Sequence, residues 1–353
     1  RKAVTTKMKE MIHGGDIYRH PDITDFSSNC NPFGPPQCVQ EAICRAAGQI
    51  GHYPDVQCSR LRKALAEKLN IPQSWIFFGN GAAEVIFAAV QAWKPKQAVL
   101  PAPTFAEYAK ALETVGCKIQ YVETAEADGF AIPQTIADAL TDETDMLFLC
   151  NPNNPTGTLL PKEKLKKILQ RAHECGTMVV IDECFLDFVD NADSYSMLSK
   201  LAEHPHMLLL KAFTKLYAMA GVRLGYGISS NPDMIEKLEC SVQPWNVSML
   251  AQAAGTAALS AETYVRDSLA VIREEKKYLT EHMKQLGLKV YASEANYIFF
   301  RGPEDLGRRL PAEGFLVRDC SNYRGLTKGY YRIAVRLRPD NERLIRTLEK
   351  LLD

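Results

Sequence analysis

Residues 145–183 read DMLFLCNPNNPTGTLLPKEKLKKILQRAHECGTMVVIDE, and their pattern indicates how the chain folds. The apolar run DMLFLC (145–150) ends in a turn rich in asparagine and proline. An amphipathic segment, KEKLKKILQRAHE (162–174), separates it from a second apolar run, TMVVIDE (177–183). Two short buried strands joined by a helix are typical of a parallel strand–helix–strand unit. The stretch therefore predicts an α/β protein.

The same alternation continues on both sides of this unit. Further amphipathic segments are EVIFAAVQAW (84–93) and EYAKALETV (107–115). Including the first two, the predicted strands are WIFFG (75–79), QAVLPA (97–102), KIQYVE (118–123), DMLFLC, TMVVIDE, HMLLLKAF (206–213) and RLGYGIS (223–229). Such strands predict a mainly parallel seven-stranded sheet with helices on both faces. The link from 213 to 223 is too short for a crossover helix, so we expect a loop there.

The pattern changes after about residue 250. Residues 261–287 predict one long helix that ends at a glycine. Short strands follow, KVYAS, NYIFF, FLVRDC and YYRIAVR, and a closing helix, NERLIRTLEKLL. We therefore expect a large domain over residues 41–250 and a smaller α+β domain over residues 251–353.

Composition disfavours several classes of protein. Lysine plus arginine and aspartate plus glutamate both number 42, so no net charge favours nucleic acid or an anionic membrane. No apolar run reaches the roughly 20 residues that span a bilayer. The first residues, RKAVTTKMKEM, are basic and lack the apolar stretch of a signal peptide. The chain has 10 cysteines, none in a C-x-x-C motif, which favours reduced core residues in a cytoplasmic protein without a metal site.

Four motifs carry side chains or amides suited to chemistry. FFGNGAAEVIF (77–87) predicts a strand, a glycine turn and a helix whose first amides, at Ala82 and Ala83, face any bound anion. NPNNPTG (151–157) follows a strand at the sheet edge where α/β proteins bind ligands, and includes Asn154. Alone, the first motif is weak, because a strand–glycine–helix turn is commonly structural, whereas NPNNPTG is an unusual string for a mere turn.

The other two motifs carry charge. VVIDECFLDF (179–188) buries Asp182 at the end of an apolar strand, where a carboxylate needs a cationic partner or a proton. A helix cap or an ion pair with an arginine is the alternative for this residue. KAFTKLYAMAGVRLGY (211–226) places Lys215 between Thr214 and Arg223 on the predicted loop.

Together the four motifs match the needs of pyridoxal 5'-phosphate. Lys215 would form the Schiff base, and Asp182 would keep the pyridine nitrogen protonated so that the ring accepts electrons. The amides of Ala82 and Ala83, with Thr214 and Arg223, would bind the phosphate, and Asn154 would donate to an oxygen on the ring or a carboxylate.

The sequence also resembles the fold type I pyridoxal-phosphate enzymes of the histidinol-phosphate aminotransferase group over nearly the whole chain. The matching stretches are HYPD (52–55), GNG (79–81), PTFAEY (103–108), NPNNPTG, DE (182–183), TK (214–215), GVRLGY (221–226), AN (295–296) and YRIAVR (331–336). The resemblance implies that Phe105 stacks on the cofactor ring. It also implies that Tyr53 reaches the cofactor phosphate of the other subunit, in a homodimer with shared active sites.

One departure bears on the reaction. The aminotransferases usually have a tyrosine at the position of Phe185, where its hydroxyl touches the cofactor. HGG (13–15), DFSSNCNPFG (25–34), DECFLDF and VRDCSNY (317–323) instead resemble the branch that decarboxylates L-threonine O-3-phosphate in cobalamin synthesis. That branch implies an N-terminal arm, residues 1–40, contributing to the active site and small domain. By the same resemblance, the residues in contact with an amino-acid phosphate substrate are His13, Gly14, Asn29, Asn154, Arg318 and Arg332.

Alternative functions remain at this point. Without the resemblance, His13 is a plain surface histidine, and Arg318 and Arg332 are solvated or paired. The neighbouring function is histidinol-phosphate aminotransferase with 2-oxoglutarate, and phosphoserine is an alternative substrate for decarboxylation. A regulator that only senses the cofactor would need a DNA-binding domain, and the enzyme-like pattern begins within the first 30 residues. A scaffold without chemistry would not need both Lys215 and Asp182.

Overall fold

The structure is a computed structural model that describes residues 13–19 and 22–352. Its strands are β1 (Thr24–Asp25), β2 (Ile76–Gly79), β3 (Gln97–Ala102), β4 (Lys118–Glu123), β5 (Met146–Cys150), β6 (Met178–Asp182), β7 (Met207–Ala212), β8 (Gly225–Ile228), β9 (Lys289–Val290), β10 (Tyr297–Arg301), β11 (Phe315–Leu316), β12 (Arg318–Asp319) and β13 (Tyr330–Ala334). Its α-helices are α1 (Gln37–Ala47), α2 (Ser59–Leu69), α3 (Ala82–Trp93), α4 (Ala106–Glu113), α5 (Thr135–Asp138), α6 (Lys162–Cys175), α7 (Pro232–Cys240), α8 (Met249–Ala258), α9 (Glu262–Gln285), α10 (Leu306–Ala312) and α11 (Arg338–Leu352).

The large sheet has the predicted seven strands, in the order β2-β8-β7-β6-β5-β3-β4. The neighbours from β7 to β4 pair in parallel, whereas β8 runs antiparallel to both β7 and β2. This reversal follows from the short link after β7, which holds only a 3-10 turn at Ala220–Val222 and so returns the chain beside the strand it has left. The predicted α/β fold is confirmed.

The central strands of the sheet are buried on both faces. Their successive side chains point to opposite sides, so each strand contributes to two cores. In β5, Leu147 and Leu149 pack into the core on one face, while Met146 and Phe148 pack into the core on the other. β6 repeats this alternation. The faces are covered by different helices, so the runs that looked uniformly apolar in sequence each supply two cores.

The topology brings one end of several strands together. β3, β5, β6 and β7 are parallel, so their carboxyl ends lie at one edge of the sheet. β2 has the same direction, and antiparallel β8 begins at this edge with Gly225 opposite Gly79. The loops that follow these strands contain the motifs singled out in the sequence, and this edge is where α/β sheets bind ligands.

A second sheet forms beyond the long helix α9. Its order is β12-β13-β10-β9, all antiparallel. The N-terminal arm joins this part of the chain, because β1 pairs in parallel with β11 and the Ala334 N–H donates to Phe26 at 2.7 Å. The predicted boundaries at residues 40 and 250 stay a prediction.

Two further observations concern membrane-spanning helices and disulfide bonds. Within the described ranges, no helix is both long and apolar enough to cross a membrane. All of the cysteines are free thiols.

Candidate active site

The loop after β7 holds Lys215 next to the end of the sheet. Its backbone is fixed by the arm, since the Asn31 N–H donates to the Lys215 carbonyl at 2.9 Å. The Asn31 side-chain amide donates to the Leu216 carbonyl at 2.9 Å and to Ser268 on α9 at 2.7 Å. The Lys215 Nζ lies 5.5 Å from the centre of the Phe185 ring. The lysine therefore lies on a braced loop with its amine over an aromatic face.

Asp182 ends β6 and is only 5% exposed. Its carboxylate accepts hydrogen bonds from the Tyr108 hydroxyl at 2.6 Å and from the Cys184 N–H at 2.9 Å. Burial raises the pKa of the Asp182 carboxyl, and these hydrogen bonds oppose the shift. A cationic N–H donor in the cavity would stabilise the charged form, which is the role expected of a protonated ring nitrogen.

The start of α3 forms an anion-binding corner with the loop after β7. Ala82 and Ala83 begin the helix, so their amides lack intrahelical acceptors. Arg223 reaches the same corner, and a Cβ on Gly81 would lie 2.4 Å from its Nη2. A Cβ on Gly225 would lie 2.3 Å from the Ala82 nitrogen. Glycine at both positions lets backbone and guanidinium converge, as a phosphate site requires.

Arg332 on β13 is only 6% exposed and connects three parts of the chain. Its guanidinium donates to the Asn154 side-chain oxygen and, at 2.8 Å, to the Ser27 carbonyl. With its amide oxygen turned towards the guanidinium, Asn29 accepts from the Arg332 Nε at 3.1 Å. A planar fork with several donors is thus held rigidly at the cavity wall.

Arg318 on β12 supplies a second buried guanidinium, 5% exposed. Its Nη2 donates to the Asn322 side chain at 2.9 Å, and its Nη1 donates to the Asp319 carbonyl. Its guanidinium carbon lies 4.9 Å from the centre of the Tyr323 ring. No carboxylate is among these contacts, so both arginines bring positive charge to the cavity.

The arm closes another side. His13 and Gly14 line the cavity, and a Cβ on Gly14 would lie 2.3 Å from the Ser27 carbonyl oxygen. The Gly15 N–H donates to the Ser27 hydroxyl at 2.7 Å. Glycine at position 14 therefore allows the arm to lie directly against the next segment of the chain.

The structure brings almost all of the predicted site residues around one cavity of about 230 Å³. They are His13, Gly14, Asn29, Ala82, Ala83, Phe105, Asn154, Asp182, Thr214, Lys215, Arg223, Arg318 and Arg332. Tyr53 does not line this cavity. It is 78% exposed and stacks on Trp245 with ring centres 4.5 Å apart.

The arrangement fits the cofactor that the sequence predicts. The cavity offers an amine, a buried carboxylate, an anion-binding corner kept open by two glycines, and an aromatic side chain, Phe105. Two further guanidiniums remain for the anions of a substrate. Each of these groups is a side chain or amide of this chain, so the fit rests on its own residues.

Sequence reasoning missed several residues of the site. Tyr108 lies in the quoted motif PTFAEY but received no role. It is fully buried, stacks on Phe148 with ring centres 4.9 Å apart, and holds Asp182. Its signal was a polar hydroxyl three residues after Phe105, on the same face of α4. The other lining residues without an assigned role are Ser27, Ser28, Ile86, Cys150, Cys184, Ala212 and Tyr323.

Comparisons with known proteins identify the family. Residues 21–349 match the family described as aminotransferase class I and II. The threonine-phosphate decarboxylase of Salmonella typhimurium is 38% identical over 96% of this chain and 96% of its own. A histidinol-phosphate aminotransferase of Moorella thermoacetica is 35% identical over 94% of this chain and 86% of its own. The crystal structure of the histidinol-phosphate aminotransferase from Clostridium acetobutylicum superposes with a TM-score of 0.87, at 30% identity, over 93% of this chain and 98% of that one.

Proposed function

The chain belongs to the class I and II aminotransferase family, and on that basis we propose that it is a pyridoxal 5'-phosphate-dependent lyase acting on L-threonine O-3-phosphate. The products are (R)-1-amino-2-propanol O-2-phosphate and carbon dioxide. Such a reaction fits a place in cobalamin synthesis. The similarity to a threonine-phosphate decarboxylase over 96% of both chains supports the proposal.

The observation that carries the proposal is the pair of buried arginines. Arg318 and Arg332 are 5% and 6% exposed and line the same cavity as Lys215 and Asp182. The substrate has two anionic groups, a carboxylate and a phosphate, which two guanidiniums match. A substrate with one anionic group would leave one arginine buried without a partner of opposite charge.

When bound, pyridoxal 5'-phosphate would supply a sink for the electron pair of a broken bond at the amino acid's α-carbon. This chain's residues decide which bond that is. The guanidiniums would hold the carboxylate upright, in the orientation in which its bond to the α-carbon is the one that breaks. Asn29, Asn154 and Ser27 hold Arg332 in one orientation for this purpose. The bond to the carboxylate breaks, carbon dioxide leaves, and a solvent proton takes its place.

Phe185 supports the same assignment. Its ring faces the Lys215 amine at 5.5 Å and packs edge-on against Tyr297 with ring centres 5.0 Å apart. A phenyl ring offers no hydroxyl to the cofactor or to a migrating proton. The site therefore lacks at this position the hydroxyl that the aminotransferases usually place against the cofactor.

The test is to incubate the purified protein and cofactor with three sets of substrates in parallel. These are L-threonine O-3-phosphate, L-serine O-phosphate, and histidinol phosphate with 2-oxoglutarate. The expected result is carbon dioxide release from phosphothreonine at the highest kcat/KM. Glutamate formation from the third set, without carbon dioxide from the first, would establish the aminotransferase instead.

The proposal includes a homodimer with shared sites, in the cytoplasm. Tyr53 lies outside the cavity of its own chain and forms, with Trp245, an exposed aromatic pair. Two large, exposed aromatic side chains in contact with each other suit a protein interface. If Tyr53 completes the partner's phosphate site, Tyr53→Ala and Lys215→Ala subunits should restore activity when mixed, because one of the two sites then has both residues. Verified heterodimers without activity would contradict shared sites.

A further inference from the structure

A carboxylate in the wall of the site has no role in the chemistry described so far. Glu107 lies in the first turn of α4, two residues after Phe105, and its side chain is 12% exposed. Its Oε1 atom is buried and has no hydrogen-bond partner among the described residues. Leaving such an oxygen unsatisfied is destabilising, so a buried carboxylate there needs a compensating function or partner.

A histidine and a lysine side chain lie near this carboxylate. The His13 Nε2 is 3.3 Å from Oε1, close enough for an ion pair when the ring is protonated but not aligned as a hydrogen bond. The Lys110 Nζ is 3.7 Å from Oε2, one helical turn away on the same helix. Lys110 pairs with Oε2 and not with Oε1. Oε1 therefore contacts the arm, through His13.

The backbone of the arm next to His13 is already fixed. Gly14 lies against Ser27, and the Gly15 N–H donates to the Ser27 hydroxyl, which in turn donates to Asp25 at 2.6 Å. The His13 side chain itself is 50% exposed, so neighbouring groups cover only about half of it. Among the described side chains, Glu107 is the acidic group in contact with its ring.

We propose that Glu107 is a positioning residue that orients the His13 ring towards the phosphate of the substrate, an inference that rests on the proposed function. When the ring carries both protons, Nε2–H faces Glu107 and Nδ1–H is left to donate to a substrate anion. Glu107 thus acts through His13 and touches neither substrate nor cofactor. It links α4, which begins directly after the aromatic Phe105, to the arm, which carries the histidine.

The experiment compares steady-state kinetics of the loaded enzyme and its variants with L-threonine O-3-phosphate. Glu107→Gln should raise KM about three- to tenfold and leave kcat within about twofold, because the lost contact orients a binding group. His13→Gln should raise KM by a similar factor. The double variant should be no worse than His13→Gln alone, since both changes remove one interaction. A merely structural role would predict additive effects.

Two variants serve as controls. Glu113→Gln removes the same charge from the exposed end of the same helix and should leave KM unchanged. Lys110→Gln removes the other cation near Glu107 and should also leave KM unchanged. A rise in KM with Lys110→Gln that matches the rise with Glu107→Gln would assign the effect to the helix pair and overturn the proposal.

The outcomes separate the two levels of inference. Wild-type protein that releases no carbon dioxide from L-threonine O-3-phosphate overturns the proposed function and this role with it. Active wild type and a Glu107→Gln variant with normal KM, or additive effects in the double variant, overturn the role of Glu107 alone. Thermal unfolding of each variant verifies that it is folded.

Discussion

Arg332→Lys keeps a positive charge in the site but removes the fork. The native guanidinium donates to the Ser27 carbonyl at 2.8 Å and to the side chains of Asn154 and Asn29. A lysine has one nitrogen and cannot occupy these positions together. At least one buried acceptor loses its partner, and the substrate anion loses a bidentate contact.

The size of the effect follows from these contacts. A hydrogen bond to a charged group contributes about 1.5–3 kcal/mol, and each factor of ten in rate corresponds to about 1.4 kcal/mol. We therefore expect kcat/KM for L-threonine O-3-phosphate to fall roughly ten- to hundredfold. Because the carboxylate is no longer held upright, some α-proton should exchange with solvent in the variant.

The assay follows carbon dioxide and α-deuterium together in heavy water. Arg301→Lys is the matched control, because Arg301 ends the neighbouring strand β10, is 51% exposed, and contacts Glu126 at 3.6 Å. It should behave as wild type. An Arg332→Lys variant with wild-type kcat/KM and no added exchange would refute the idea that guanidinium geometry selects the bond.

Three other changes test separate parts of the site and the fold. Asp182→Asn should lower kcat far more than it raises KM, because the contact of the carboxylate with the ring nitrogen strengthens as negative charge develops during the reaction. Similar changes in kcat and KM would contradict this. Gly225→Ala should weaken cofactor retention on dialysis, since its Cβ would lie 2.3 Å from backbone at the start of α3, whereas Gly221→Ala, with open space around it, should not. Burial lowers the pKa of His204 and His206, so the unfolded chain binds more protons near pH 6, and the free energy of unfolding should fall from pH 7.5 to 5.5. Urea titrations should show a shallower fall when both histidines are replaced by glutamine.

Much of the fold was predictable because the central strands are recognisable in the sequence as short, continuously apolar runs. Strands buried on both faces must be continuously apolar, and runs such as MLFLC and MVVID meet that requirement. The short link around Lys215 also predicted a loop. The order of strands in the sheet could not be predicted in this way, since it depends on which parallel neighbours bury the most surface.

The site, too, has residues that could be predicted from the sequence and residues that could not. Asp182 and Lys215 were predictable because charge at the end of an apolar strand is costly and needs a reason. The contact between His13 and Glu107 joins residues far apart in the sequence, and the Tyr108 hydroxyl reaches Asp182 from another element. No local pattern encodes such distances, so these roles required the folded chain.

The most direct measurement supplies carboxyl-labelled L-threonine O-3-phosphate to the enzyme in heavy water with 2-oxoglutarate present. We expect labelled carbon dioxide in equal amount to 1-amino-2-propanol O-2-phosphate, with one deuterium on the former α-carbon and no glutamate. These equal amounts follow because each turnover breaks one bond between the α-carbon and the carboxylate and places one solvent proton on that carbon. Glutamate formation, with the label retained in a keto acid and no carbon dioxide, would contradict the decarboxylase and identify a transaminase.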